Sequence, residues 1–457
     1  MPRPLPHRGF SHEALRCRVR GRAPFVLRRT VAAVTSMTAL AATSLVAGPA
    51  LVGSLYAPCE LTRSEAHHSE GVDTWNAAYT RPTRPLDAVL VFLSFPDSVP
   101  TTTPAELTSD YFPATSRFFD RASYGRFTVR PHPLDHWIPM PHPSVSYAVQ
   151  RDWDPDHRSA YLRDALAAAD KEVDFSRYDV VYFVADPDAP GIDSDATKVV
   201  NLETPMQADG TDVRRVVTVF EKHPPDRLVL AHETGHVFDL PDLYHRPADG
   251  KGDWDTYVGD WDLMGSQFGL APDLFAWHKW KLGWLDDRQV VCVRGRGSKR
   301  LTLEPLGAGA QGVPQVAVSA GAPANTGSGG TAGARPLGPG VQAFGSGHGT
   351  KLAVVRTGPD SVLALEARDA TGNDSATCTQ GVLVYRVHGD TASGGGPIEV
   401  LDAHPHSSAC WNTSVYPALA DAPVDVGESF TVPGDGVRVE VEDRTPTGAW
   451  IVRITRL

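Results

Sequence analysis

At 457 residues, with 41% hydrophobic and 21% charged side chains, the chain is globular in composition and too long for one core. Two or three domains are expected. The formal net charge of -11 argues against nucleic acid or anionic lipid as the main partner.

Residues 1–29 hold eight arginines against the single Glu13, and an apolar, Ala-rich run follows from Val31 to Ala57. Residues 1–57 therefore read as a basic lead and a secretory signal peptide, with Gly48 and Ala50 as small residues for cleavage. The run is also long enough to be retained as a membrane anchor, although Pro49 disfavours a spanning helix. Without residues 1–50, which carry a net +7, the formal charge falls from -11 to -18. Such a surface suits a secreted, extracellular, monomeric protein.

Residues 58–85 read as an irregular lead-in. A catalytic-type α+β domain is expected over 86–288. It opens on the apolar run Asp87–Phe95, which suits a buried strand. Helical character follows over 104–122, then a Ser123-Tyr124-Gly125 turn and a strand from Phe127. An amphipathic helix is expected over Tyr161–Val173, a buried strand over Tyr178–Ala185 and a short edge strand over Val216–Val219.

The segment Ala231–Tyr244 reads A-H-E-T-G-H-V-F-D-L-P-D-L-Y and contains H-E-x-x-H. On a helix, His232 and His236 share one face and can grip one metal ion, while Glu233 can reach a water on it. Three fixed residues recur by chance, so the flanks decide. Leu228–Ala231 give the apolar approach of a buried helix, and Pro241 ends it. The turn at Pro241 aims Asp242 back toward the histidines as a third ligand. Asp262 is the main alternative for that role and Asp255 a weaker one. The acidic run Asp249–Asp262 reads either as a solvated loop or as a source of oxygen ligands for calcium. Met264 is expected to pack beneath the site, and Tyr244 or Tyr257 could donate a hydrogen bond to a developing oxyanion. Pro272–Leu285 reads as an amphipathic helix whose aromatic stripe packs in the core, with His278 a surface or packing residue.

From 289 to 457 the pattern changes to short apolar strands, an all-β domain best read as a sandwich. A Gly-, Ala- and Pro-rich tract at 307–349 interrupts it as an insertion. Beyond the leader there are four cysteines, Cys59, Cys292, Cys378 and Cys410. An even count in an exported chain implies two disulfides in one of three pairings. The alternative for Cys59 is a metal-masking thiol.

With these residues laid out, the chain resembles the immune inhibitor A family of secreted bacterial metallopeptidases. His232–Tyr244 is similar to that family's H-E-x-G-H-x-x-G-L-P-D-x-Y, Trp261–Gly265 to its W-D-L-M segment, and Ala276–Leu285 to the helix that follows. The resemblance covers residues 86–306 well and 350–457 loosely. Asp239 stands where the family has glycine, and His245 where an acidic residue often follows the tyrosine. The resemblance implies a zincin-like domain, a zinc cofactor, protein or peptide substrates, and a zinc-dependent endopeptidase with Glu233 as general base. The alternative is a catalytically inactive relative that binds extracellular protein or glycan.

Overall fold

The structure, a computed structural model, describes residues 59–66, 70–247, 251–309 and 349–457. The leader 1–57, the first residues of the acidic run and most of the 307–349 tract lie outside them.

The fold is α+β. Its first half is built on a five-stranded sheet in the order β2-β1-β3-β5-β4. The strands are β1 (Leu86–Ser94), β2 (Val129–Pro139), β3 (Val180–Ala185), β4 (Lys198–Ala208) and β5 (Thr211–Val219). Four are parallel, and β4 runs antiparallel on the outer edge. β1 is apolar throughout because both of its faces are buried. Leu86, Ala88, Leu90 and Phe92 point into one core; Val89, Val91 and Leu93 point into the other. Helices α1 (Pro104–Tyr111), α2 (Ala114–Ala122) and α4 (Val229–Val237) cover the first face, and α3 (Pro155–Ala169) covers the second. The helical region expected over 104–122 is divided between α1 and α2, at Pro113, which has no N–H to continue the ladder.

Val216–Val219 belongs to a nine-residue strand that lies inside the sheet, not at its edge. The edge is β4, whose sequence K-V-V-N-L-E-T-P-M-Q-A alternates poorly and contains a proline. Pro205 is tolerated there because the pairing register shifts between Asn201 and Met206 on an edge strand. The legible signal for β4 is Asp209-Gly210. Both residues have positive φ, 49° and 69°, and together they form the tight hairpin turn into β5.

The chain then passes through α5 (Ala276–Lys281) into a β-rich region. β6 (Val290–Val293), β8 (Leu352–Arg356), β9 (Ser361–Arg368), β10 (Gly381–His388) and β11 (Ile398–Val400) form one sheet, ordered β11-β10-β9-β8-β6. β7 (Gly297–Leu303), β12 (Ser429–Val432), β13 (Val437–Arg444) and β14 (Trp450–Arg456) form a second, ordered β12-β13-β14-β7. Ala353, Val355, Leu363 and Leu365 from the first sheet share a core with Val437, Val439, Val452 and Ile454 from the second. This is how two stacked sheets bury their inner faces. The alternate residues Leu352, Val354, Val362 and Ala364 belong to the same core as Met264, Trp277 and Trp284. The β-rich region and the region around α4 are therefore packed together.

α5 is shorter than the helix expected over Pro272–Leu285, and it is buried on every side, including His278, Lys279 and Lys281. Lys279 pairs with Asp273 at 2.6 Å and Lys281 with Asp239 at 2.7 Å, which is what makes buried lysines tolerable. The lead-in has little regular structure, yet it is tied down along its length. Ser64 Oγ donates to Gly389 O at 2.6 Å, and Val72 O accepts from the Trp277 indole at 2.9 Å. The disulfides are Cys59–Cys292 and Cys378–Cys410. Cys59 is thus bonded to Cys292 and does not mask a metal. No helix among the described residues is long and apolar enough to cross a membrane.

Candidate metal centre

α4 carries the H-E-x-x-H residues, and every one of its residues is buried. Its C-terminus explains the local sequence. Asp239 N–H donates to His236 O at 3.2 Å and Leu240 N–H to Gly235 O at 3.3 Å. Asp239 has φ 73°. This is a Schellman-type stop, with aspartate in the left-handed position usually held by glycine. The helix therefore ends at Val237, before Pro241 acts. Asp239 is retained there by charge. Its carboxylate meets Lys281 Nζ at 2.7 Å and Arg63 at 3.3 Å. Burial pushes its carboxyl up to about 6, against the pull of Lys281.

That stop turns the chain so that Asp242 faces the histidines. His232 Nε2 lies 3.2 Å from His236 Nε2, and Asp242 Oδ1 lies 3.3 Å and 3.1 Å from those two nitrogens. Three ligands on a tetrahedral ion with bonds of about 2.05 Å would stand about 3.3 Å apart. The triangle fits such an ion. The other ring nitrogens are already committed. His232 Nδ1 bonds Leu263 O at 2.9 Å and His236 Nδ1 bonds Leu240 O at 2.7 Å. Donation to those carbonyls leaves both Nε2 lone pairs directed into the triangle, the arrangement that metal-binding histidines adopt.

Glu233 stands beside this group. His232, Glu233 and His236 offer ligand atoms all within 4.8 Å of one another, a cluster that can hold a metal ion. Glu233 Oε2, however, accepts from Val199 N–H on β4 at 2.8 Å, which holds the carboxylate to one side. Burial raises its carboxyl above the usual value, with the two imidazoles opposing. Burial would lower the His236 imidazole, but Asp242 and Glu233 outweigh it and raise it to about 10. Burial would raise Asp242, yet the imidazoles hold it well below the usual carboxylate range. The trio stabilises positive charge at its centre.

The remaining candidates separate clearly. Asp262 is fully buried away from the triangle. It accepts from Met264 N–H at 2.8 Å, Phe275 N–H at 2.7 Å and His278 Nδ1 at 3.1 Å. It holds the turn whose Leu263 carbonyl orients His232, so its effect on the site is indirect. Asp255 lines the cleft, bonds Ser266, and is raised to about 6 by burial. Asp260, in the acidic run, accepts from Leu270 N–H at 3.0 Å and Ser414 Oγ at 2.5 Å. Asp255, Asp260 and Asp262, three of the run's carboxylates, are thus occupied by protein donors. Met264 lies under α4. A Cβ on Gly235 would come within 2.5 Å of the Met264 sulfur, so any larger residue there displaces the Met264 side chain. Tyr244 lines the cleft with its ring nearly parallel to His232 at 6.3 Å. Tyr257 instead packs edge-on against His245.

Residues distant in sequence complete the site. The segment between β10 and β11 clamps the Asp242 backbone. Asp242 N–H donates to Ser393 Oγ at 2.9 Å, and Gly394 N–H donates to Asp242 O at 3.0 Å. No local pattern marks Ser393 as a site residue, since it lies 151 positions away. The whole group opens on a cleft of about 810 Å³ whose lining includes Glu70, Lys198, Val199, Tyr244 and Arg246. No known family model matches this chain, and no curated protein matches it.

Proposed function

We propose that this chain is a secreted zinc-dependent endopeptidase with a zincin-like catalytic region, of the immune inhibitor A kind that its motifs resemble. The observation that carries the reading is the triangle of His232, His236 and Asp242 with Glu233 alongside. Zinc is the favoured ion because two imidazoles and one carboxylate in a tetrahedral arrangement suit it and leave a fourth position open. A zinc ion there supplies Lewis acidity and brings the pKa of a water toward neutrality.

The protein's own groups do the rest. The Val199 N–H bond fixes one oxygen of Glu233 and leaves the second to take a proton. Its raised pKa suits a group that must first hold that proton and then pass it to a leaving amine. Burial also raises the Tyr244 phenol, which therefore remains a neutral donor facing the cleft. β4 is the outer strand of its sheet, and Lys198–Asn201 line the cleft. An extended peptide laid along that edge can add a strand through the outward backbone groups of β4 that Glu233 does not use. Peptide bonds of extracellular proteins are the substrate class that these features favour, and the two disulfides suit an oxidising location.

Metal analysis combined with a peptide library tests the reading. About one zinc per chain is expected, with cleavage lost on chelation and restored by zinc. Stoichiometric zinc with no cleavage of any peptide or of casein would favour a binding protein instead.

A further inference from the structure

Five cations line the same cleft: Arg151, Arg158, Lys198, Lys222 and Arg246. They come from separate parts of the chain, with Arg158 on α3 and Lys198 opening β4. Lys198 is one residue from Val199, whose N–H holds Glu233, so its ammonium belongs to the part of the cleft beside the general base. Three of the five are accounted for. Lys222 Nζ donates to Pro187 O at 2.9 Å and acts on the Asp188 carboxylate. Arg246 pairs with Asp152 at 2.5 Å, and Arg151 lies over the Trp254 ring at 4.3 Å. The other two have no close acidic or aromatic partner among the described residues. Lys198 Nζ donates to a carbonyl, Arg151 O, at 2.6 Å. Among the described residues, neither Lys198 nor Arg158 has a carboxylate at ion-pair distance. The cleft carboxylates Glu221 and Asp226 are grouped with each other and with Gln267.

We propose that Lys198 and Arg158 form an anion-recognition wall that selects substrates with an aspartate or glutamate side chain next to the scissile bond. This specificity rests on the peptidase reading above. Half-buried cations with no carboxylate at ion-pair distance can take a substrate carboxylate through charge-assisted hydrogen bonds. Burial and the positive charges of Arg158 and Arg246 hold the Lys198 ammonium below its usual pKa, against the opposing pull of Glu233 and Asp152. An acidic side chain relieves that repulsion, whereas a basic one adds to it.

The test uses quenched fluorescent peptide pairs that differ only by Glu or Gln at each position flanking the cleaved bond. For the zinc-loaded full chain, kcat/KM is expected to favour the Glu member by about 10-fold at one or more positions. The advantage should shrink as salt rises. Arg158→Glu should abolish or reverse the preference, and Lys198→Met should reduce it. The same labelled peptides are then titrated onto Glu233→Gln by fluorescence anisotropy. Equal cleavage of both members of every pair overturns the anion wall and leaves the peptidase reading intact. Preferential binding of Glu peptides with no cleavage by the wild type upholds the wall and overturns the peptidase reading.

Discussion

Replacing Asp239 by glycine puts at this left-handed position the residue that such helix stops usually carry, and the structure predicts that this destabilises the protein. Glycine removes the cost of a left-handed φ of 73°, worth about 1 kcal/mol. It also strips Lys281, which is fully buried, of its 2.7 Å carboxylate partner. Breaking one side of a buried pair costs about 3–5 kcal/mol. Lys281 Nζ keeps Gly71 O at 2.7 Å, Asp73 O at 3.0 Å and the Asp73 carboxylate at 3.5 Å, so the loss belongs at the lower end of that range. The net expectation is about 2 kcal/mol of destabilisation. Urea denaturation followed by tryptophan fluorescence measures it. The double variant Asp239→Gly/Lys281→Met should be more stable than Asp239→Gly alone, because the buried charge that lost its closer carboxylate is gone and Asp73 keeps Arg63 at 3.0 Å. If Asp239→Gly is as stable as the wild type or more so, the charge argument for aspartate in this turn is wrong.

Further outcomes follow from other parts of the molecule. Gly394→Pro removes the N–H that clamps Asp242 O at 3.0 Å and cannot adopt the φ of 72° found there; zinc affinity in a chelator competition should fall by about 10-fold or more. Unchanged affinity would show that the β-rich region does not position the third ligand. Burial lowers the Lys351 ammonium from 10.5 to about 8. The folded chain then binds fewer protons than the unfolded chain between those values, so this group makes stability rise with pH across that window. Lys351→Met should flatten that slope in urea titrations from pH 8 to 10; an unaltered slope would refute the assignment. The two disulfides span 233 and 32 residues. Loop-closure entropy makes removal of Cys59–Cys292 by paired serines costlier than removal of Cys378–Cys410 by about 2 kcal/mol. Equal or reversed losses by denaturant unfolding would contradict that ranking.

The parts of the site within one helical turn were the ones the sequence displayed. His232, Glu233 and His236 were legible from their helical spacing together with the apolar flank Leu228–Ala231, and the Pro241 segment pointed to Asp242. The rest depends on contacts between distant residues. Val199 holds Glu233 from a strand with poor alternation, legible only through the Asp209-Gly210 turn at its far end. Ser393 and Gly394 reach Asp242 from between two strands of the β-rich region. Asp262 carried the same chemical signal as Asp242, a carboxylate a short distance past the histidines. Only packing separates them, since Asp262 is used up by Met264 and Phe275 N–H groups and His278. Likewise, the periodicity around Ala276–Lys281 suggested a helix with one wet face. Ion pairs to Asp273 and Asp239 let it be buried all round. Fold class was legible because strand runs such as Asp87–Phe95 are apolar on both faces; strand order was not, because it is set by pairing between segments far apart in the chain.

The central claim is that Glu233 moves a proton beside an ion held by His232, His236 and Asp242. It is tested most directly by comparing wild type and Glu233→Gln for zinc content and for cleavage of casein or gelatin. The account predicts about one zinc per chain in both proteins, and cleavage by the wild type alone. Glu233→Gln protein that retains wild-type cleavage, or loses its zinc together with activity, would contradict it.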